Sequence, residues 1–396
     1  MVRYIEGDDP VLGGKFTGQL VKALTDPLTE EDLKVEHFTR SHQRVAATGT
    51  EDALRALFSE NGWTDTLPIV LPTPERVEAM LGGTSRSPDE LIGQIRAADS
   101  RDFWRFNVEQ VAINAVMAGA LPEHMPVILA LLTSGLTARH SSISSIGFMV
   151  VVNGPIRHEI GLNSRIGALG PYSRANSGIG RAFSLASQNL QGGSIPGISY
   201  MGTLGNPFNF TNLMFGENEE DSPWEPYHVQ HGYRQEASTA TIFGQCRTLV
   251  SAPSGIRGTW REQARTIFCG LRAVGGAILL LDPLAAKLLV EHEGFARKQD
   301  LIDWIAGTSQ IPARIWWQQG MAARFVGERA RAGVEPWAGY LKTAPDDFLP
   351  VNLPEDVHVI VVGGKTTPIW GVAEGMANGT THRRFRGGTV AIDPWR

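Results

Sequence analysis

The sequence predicts an α/β fold of mostly parallel sheets flanked by helices, set out as two lobes with a cleft between them. Three observations lead there. Short apolar runs, such as Phe148-Met149-Val150-Val151-Val152 and GAILLL before Asp282, have the length and residue types of strands buried on both faces. They alternate with segments whose apolar residues recur at helical spacing, the order of a strand–helix–strand chain. Gly-, Asn- and Pro-rich turns separate the two kinds of segment. The expected divisions are an N-terminal arm over 1–50, an α/β lobe with a Gly/Asn/Arg-rich loop over 51–245, and a second α/β lobe over 246–396.

Composition narrows the class. With 396 residues, 42% hydrophobic and 19% charged, the chain can build more than one ordinary core. A net charge of -5 and the absence of a long basic run argue against a nucleic-acid partner; HRRFR, the densest basic cluster, reads as a solvated tail. MVRYIEGDDPVLGGKF has no apolar signal core and no run is long enough to span a bilayer, so no membrane partner and a cytoplasmic location are expected. Cys246 and Cys269 form no CxxC pair, and each reads as a small buried hydrophobe.

Residues 1–50 show little periodicity and are expected to pack as an arm on the body or on a neighbouring subunit. EDALRALFSENG is an amphipathic helix with a Gly stop, LPIVLP a short strand, and TPERVEAMLGG a helix with Thr73 as N-cap and Pro74 at its first position. TSRSPDELIGQIRAADSR reads as a loop and a weaker helix. NVEQVAINAVMAGALPEHMPVILALLTSGL gives two helices divided at Gly119 to Pro122. Glu123 and His124 open the second; Glu123 suits the helix dipole without any function, while His124 is a catalytic candidate.

The tract from Phe148 to Leu190 is the one the rest of the chain serves. A strand breaks at Asn153-Gly154-Pro155, a long polar loop follows, and a helix closes it. Unpaired backbone N–H groups and a partial positive charge at a helix start suit a carboxylate or phosphate. Arginines add fork-shaped donors. Asn and Gly are also ordinary turn residues, but here they persist over more residues than a turn needs. Asn153, Arg157, Asn163, Arg174, Asn176 and Arg181 are therefore the substrate-binding candidates. Neither GxGxxG nor a Walker lysine is present, which argues against a nucleotide.

Gln191 to Gly205 reads as a loop. The strand-like NLMFG then delivers Glu217 to the position where an α/β sheet presents catalytic groups, so Glu217 is the candidate general acid or base, with His228 beside it. Glu217, Glu219, His228 and His231 are suitable ligands for a divalent metal, though their spacing matches no metal signature and a solvated acidic turn explains it as well. The sequence specifies no cofactor. STATIFGQC is a strand, 258–273 a helix, and GAILLLDPLAAKLLVEHEG a strand ending at Asp282 with a helix started by Pro283. KQDLIDWIAG and IPARIWWQQGMAARFVGERARAG are helices; the tryptophans of the latter suit a homo-oligomer interface or a buried core. DVHVIVVGGKTTPIWGVAEGMANG repeats the order strand, Gly-Gly, polar turn, helix. Gly-Gly-Lys-Thr lacks the first glycine of a P-loop, leaving Lys365 as a substrate-binding candidate at a second helix start. His382 belongs either to that site or to the tail.

NGWTDTLPIVLPTPERVEAMLGG, VAINAVMAGALPEHMPVILA, VNGPIRHEIGLNSRIGALGPYSRANSGIGRAF and GENEEDSPWEPYHVQHGY together resemble a bacterial family associated with UGSC-motif selenoproteins and their cysteine homologues. The resemblance covers roughly Asn61 to Tyr233 and extends more loosely beyond. It implies no defined reaction. Relatives often carry cysteine where this chain has Ala120, and UGSC itself is absent. The resemblance thus implies a small redox partner protein, or independence from one.

Taken together, these readings predict an enzyme, a hydrolase or lyase, acting on a small polar or anionic metabolite by acid–base chemistry. A large non-catalytic or substrate-binding subunit of a two-component thiol/selenol redox system is the competing expectation, and a metal-dependent hydrolase a third.

Overall fold

A computed structural model describes residues 16–27, 29, 45, 47–96, 103–138, 147–191, 204–246, 249–252, 258–377 and 387–396. Two compact units emerge, Met1–Ala46 and Ala47–Arg396. The first contributes helix α1 (Phe16–Thr25); much of the expected arm lies outside the described residues.

The second unit carries the remaining elements. Its strands are β1 (Leu91–Arg96), β2 (Phe103–Asn107), β3 (Gly147–Asn153), β4 (Leu213–Gly216), β5 (Thr239–Cys246), β6 (Leu249–Ala252), β7 (Ala277–Leu281), β8 (Gln310–Pro312), β9 (Phe348–Pro350), β10 (Val357–Val361), β11 (Trp370–Glu374) and β12 (Gly388–Ala391). Its helices are α2 (Glu51–Glu60), α3 (Pro74–Leu81), α4 (Val108–Met117), α5 (Met125–Leu132), α6 (Ile156–Glu159), α7 (Arg174–Leu190), α8 (Tyr227–Gln230), α9 (Trp260–Cys269), α10 (Pro283–Glu293), α11 (Lys298–Thr308), α12 (Ala313–Gln318), α13 (Gly320–Arg331) and α14 (Trp337–Lys342).

Two four-stranded sheets form the centre, in the orders β12-β5-β3-β4 and β10-β7-β11-β6. In each, one strand pair is parallel (β3 with β4, β7 with β10) and the next two pairings are antiparallel. The α/β class stands, but the expectation of mostly parallel sheets gives way to mixed ones. Strand-like composition sets burial, not direction, because an apolar run fits either ladder once both of its faces are covered.

Side-chain alternation explains how the sheets stack. Along β3, Phe148, Val150 and Val152 join a core with α4, α5 and α7, while Met149 and Val151 join a second core shared with Ile278, Leu280 and Ile360 of the other sheet. Along β7, Leu279 and Leu281 turn outward to a third core built with α9, α10, α11 and α13. The result is four layers, helices on sheet on sheet on helices, within one compact unit. The expected division into two lobes is not seen as separate units, since Ala47–Arg396 clusters as one. The last strand, β12, returns to the first sheet beside β5, and β6 joins the second.

Three local expectations change. PIWGVAEG is not a helix but strand β11, pairing Val372 with Leu279 and Gly371 with Leu280. Its Trp, Ile and Val favour a pleated surface, and tertiary pairing outweighs the helix-like Pro368 start. LIGQIR, read as part of a weak helix, is β1 and pairs with β2. LPIVLP forms no strand, although Val70 N–H donates to Met117 O at 3.3 Å.

Helix α7 is seated by small residues. A Cβ on Gly180 would lie 1.8 Å from Thr211 O, and one on Gly178 would lie 3.4 Å from the Ala120 Cα. Gly180→Ala is therefore expected to destabilise the chain by about 1–3 kcal/mol, since the clash exceeds the roughly 1 kcal/mol that alanine adds in helix propensity. A urea unfolding midpoint at or above that of the parent chain would show that α7 shifts freely.

Candidate functional site

The parallel pair β3–β4 ends in the residues that build the site. Gly154 has φ 84, and a Cβ there would sit 2.2 Å from Ala237 O, so only glycine makes the turn out of β3. The short helix α6 follows at once and carries Arg157 and His158. Across the pair, Glu217 N–H donates to Val152 O at 3.1 Å, which extends the ladder by one residue and sets Glu217, Asn218, Glu219 and Glu220 opposite α6. Gly216 leaves room for Arg157, whose Cδ would be 3.1 Å from a Cβ at that position.

The polar cluster so formed is mostly buried. Glu217 is fully buried; Lys298 Nζ, at the start of α11, donates to its Oε1 at 3.1 Å, and Asn153 Nδ2 and Tyr227 N–H each donate to its Oε2 at 2.6 Å. Asn153 Nδ2 and Gly154 N–H also donate to Glu219. Arg157 is saturated: its Nε donates to Gly154 O, its NH1 to Glu217 O at 2.6 Å, and its NH2 reaches Glu219 and Glu220 at 2.9 Å each. Burial alone would raise the Glu220 carboxyl, but hydrogen bonds from Arg157, His158 and the backbone outweigh it and bring the group to about 2. Glu220 Oε1 lies 2.8 Å from His158 Nε2.

Beside this cluster opens a cleft of about 490 Å³, lined among others by His124, Arg157, His158, Asn163, Ser173 and Arg174. Helix α7 points its first turn into it. Ser173 is the N-cap, its Oγ accepting from Asn176 N–H at 3.2 Å, and no acidic residue sits in the first turn. The N–H groups of Arg174 and Ala175 have no intrahelical acceptor, as at any helix start. Arg174 Nε donates to Gly119 O at 3.1 Å, and among the described residues no carboxylate pairs with this guanidinium. His124 Nδ1 accepts from Leu121 N–H at 3.1 Å. Burial, opposed by Glu123 and reinforced by Arg174, pushes the His124 imidazole down to about 4. It is therefore neutral at pH 7, and with Nδ1 accepting, its proton sits on Nε2.

The candidates named from sequence thus separate. His124, Arg157, Asn163 and Arg174 come together in the cleft. Asn163 there also holds its own loop, Nδ2 donating to Ile166 O. Asn176 is fully engaged in that loop, donating to Asn163 O and Ala168 O and accepting from Asn163 N–H. Arg181 lies further along α7 and forks onto Asp65 at 2.8 and 2.9 Å, with backbone acceptors at Leu67 and Pro68. Lys365 pairs with Asp221 at 2.6 Å and follows no helix start, because β11 replaces the expected helix. Asn153 and Glu217 lie in the buried cluster. His228 is buried, its Nε2 3.3 Å from Gln235 O. His382 lies outside the described residues.

The notion of a Glu217, Glu219, His228 and His231 metal set is not met by the geometry. Each carboxylate is committed as above, and His231 Nδ1 lies 2.9 Å from Tyr227 O. Among the described residues no group of three or more His, Cys, Asp or Glu side chains is placed to hold a metal ion. A second cavity, of about 330 Å³, lies between α8, α11 and β10 and is lined by Tyr227, His231 and His358. Burial, with His231 nearby, pushes His358 down to about 3. Among the described residues no helix is long and apolar enough to cross a membrane.

His158 and Ser173 are the cleft residues that sequence reading passed over. His158 stood in plain view in the GPIRHEIG string between an arginine and a glutamate, and only its distance to Glu220 distinguishes it from a surface histidine. Compared with known family models, curated proteins and solved structures, the chain has no match.

Proposed function

We propose that the chain is an enzyme, a hydrolase or lyase, that takes a small polar or anionic metabolite into the cleft at the head of α7 and acts on it by acid–base chemistry. The observation that carries this reading is Arg174: a guanidinium with no acidic partner among the described residues, at the start of a 17-residue helix, beside a neutral imidazole. Arg174 and the free N–H groups hold the anion, and His124 Nε2–H donates to an oxygen that gains negative charge during reaction. Arg157 borders the cleft but serves its neighbours, so its part is to fix the wall.

Titration calorimetry with inorganic phosphate and with malonate tests the anion site. The intact chain is expected to bind at least one of them, and Arg174→Ala to bind it about 10- to 100-fold more weakly, the size of a hydrogen bond to a charged group at about 1.5–3 kcal/mol. Equal binding by the two proteins would remove the central support.

A second reading, with kinship to the UGSC-associated family, rests on Ala120. This residue abuts Gly178 of α7 and precedes Leu121, which lines the cleft. A sulfur brought by a small partner protein would then act beside the same anion site. Turnover by the purified chain alone excludes that reading, whereas activity appearing only with a cysteine-bearing partner supports it.

A further inference from the structure

We propose that His158 is the general base of this cleft, with Glu220 and Arg157 as its positioning residues; the assignment rests on the cleft being an acid–base site. Sequence reading gave the role to Glu217, which is fully buried and committed to Lys298, Asn153 and Tyr227. The His158 side chain is 61% exposed and lines the cleft.

The hydrogen-bond chain decides which nitrogen is basic. Arg157 donates to Glu220 at 2.9 Å, and Glu220 faces His158 Nε2 at 2.8 Å. An ionised carboxylate only accepts, so in the neutral imidazole Nε2 carries the proton and Nδ1 has the lone pair. Across the cleft His124 has the same tautomer with the other nitrogen left over: its Nδ1 is taken by Leu121 N–H, so its Nε2–H is the group left to donate. One cleft therefore presents one imidazole that can take a proton and one that can donate a hydrogen bond, the pairing that proton abstraction requires. In the step, the bound metabolite's proton passes to His158 Nδ1 and the electron pair it leaves stays on the metabolite. The imidazolium is balanced by Glu220, and the new negative charge on the metabolite faces Arg174 and His124 Nε2–H.

Imidazole nitrogen NMR on the full chain at neutral pH tests this without any variant. The expected spectrum places His158 in a single form, Nε2 protonated and Nδ1 not; a proton on Nδ1 would overturn the assignment. Glu220→Gln is expected to convert that single form to a mixture, and an unchanged tautomer would remove Glu220 as the positioning residue. Acylation by diethyl pyrocarbonate, read by peptide mass spectrometry, gives the reactivity of Nδ1. His158 is expected to react, at least tenfold more slowly with phosphate in the cleft, and Arg174→Ala to abolish that protection. Protection absent with the tautomer as expected would overturn the anion site and leave the base standing; the reverse result would do the opposite.

Discussion

Lys298→Met is expected to destabilise the chain by about 3–5 kcal/mol, because it leaves the Glu217 carboxylate buried without its counter-charge. Both partners are essentially inaccessible, at 0% and 2% relative exposure. The hydrogen bonds from Asn153 and Tyr227 soften the loss but supply no full charge. A loss of this size is a large part of the roughly 5–15 kcal/mol that holds a folded domain together. The double variant Glu217→Gln/Lys298→Met removes both charges and keeps an acceptor for Asn153 or Tyr227, so it should recover more than half of the stability. Urea unfolding midpoints compare the three proteins. A single variant within 1 kcal/mol of the parent, by the same measure, would mean that water reaches the pair.

Trp260→Ala should cost a similar amount, about 3–5 kcal/mol, through a large cavity. The indole is fully buried, with ring centroids of Trp304, Trp370 and Phe295 at 5.2, 5.8 and 6.0 Å. Among the described residues its Nε1 has no hydrogen-bond partner. Trp260→Phe keeps most of the ring contact and removes that orphaned donor, so it should cost less than about 1.5 kcal/mol. Equal losses in the two variants would show that volume is not what the site requires. The cluster belongs to the helices outside the second sheet, away from the cleft, so phosphate affinity should be unchanged in Trp260→Phe.

What could be seen in the sequence is what depends on near neighbours. The strand of Phe148 to Val152, the α10 start at Asp282-Pro283 and the helix that closes the polar loop as α7 each follow from a few consecutive residues. Sheet direction does not: β11 pairs with β7 about ninety positions away, and PIWGVAEG satisfies a helix-start pattern as readily as a strand. The arginines show the same limit within the site. Arg174 and Arg181 sit a few residues apart with the same chemistry, yet one lacks a carboxylate among the described residues and the other grips Asp65, 116 positions earlier. Glu217 was correctly placed at a strand end, but the lysine that neutralises it comes from 81 positions later. The partner of His158, Glu220, comes from 62 positions later, whereas that of His124 is Leu121, three residues earlier.

The two central sheets repeat one connectivity, with Asn153 and Asp282 at matching strand ends. Their uses have diverged. Asp282 accepts from Ala285 N–H at 2.7 Å and Ile369 N–H at 2.5 Å and so closes a helix and a loop. Asn153 instead joins a web of acids and bases beside an open cleft. After β10, where the first half has Glu217-Asn218-Glu219-Glu220, the second has Val362-Gly363-Gly364-Lys365. The second half's strand end closes backbone, yet its Lys298 still lends the first half the counter-charge on Glu217.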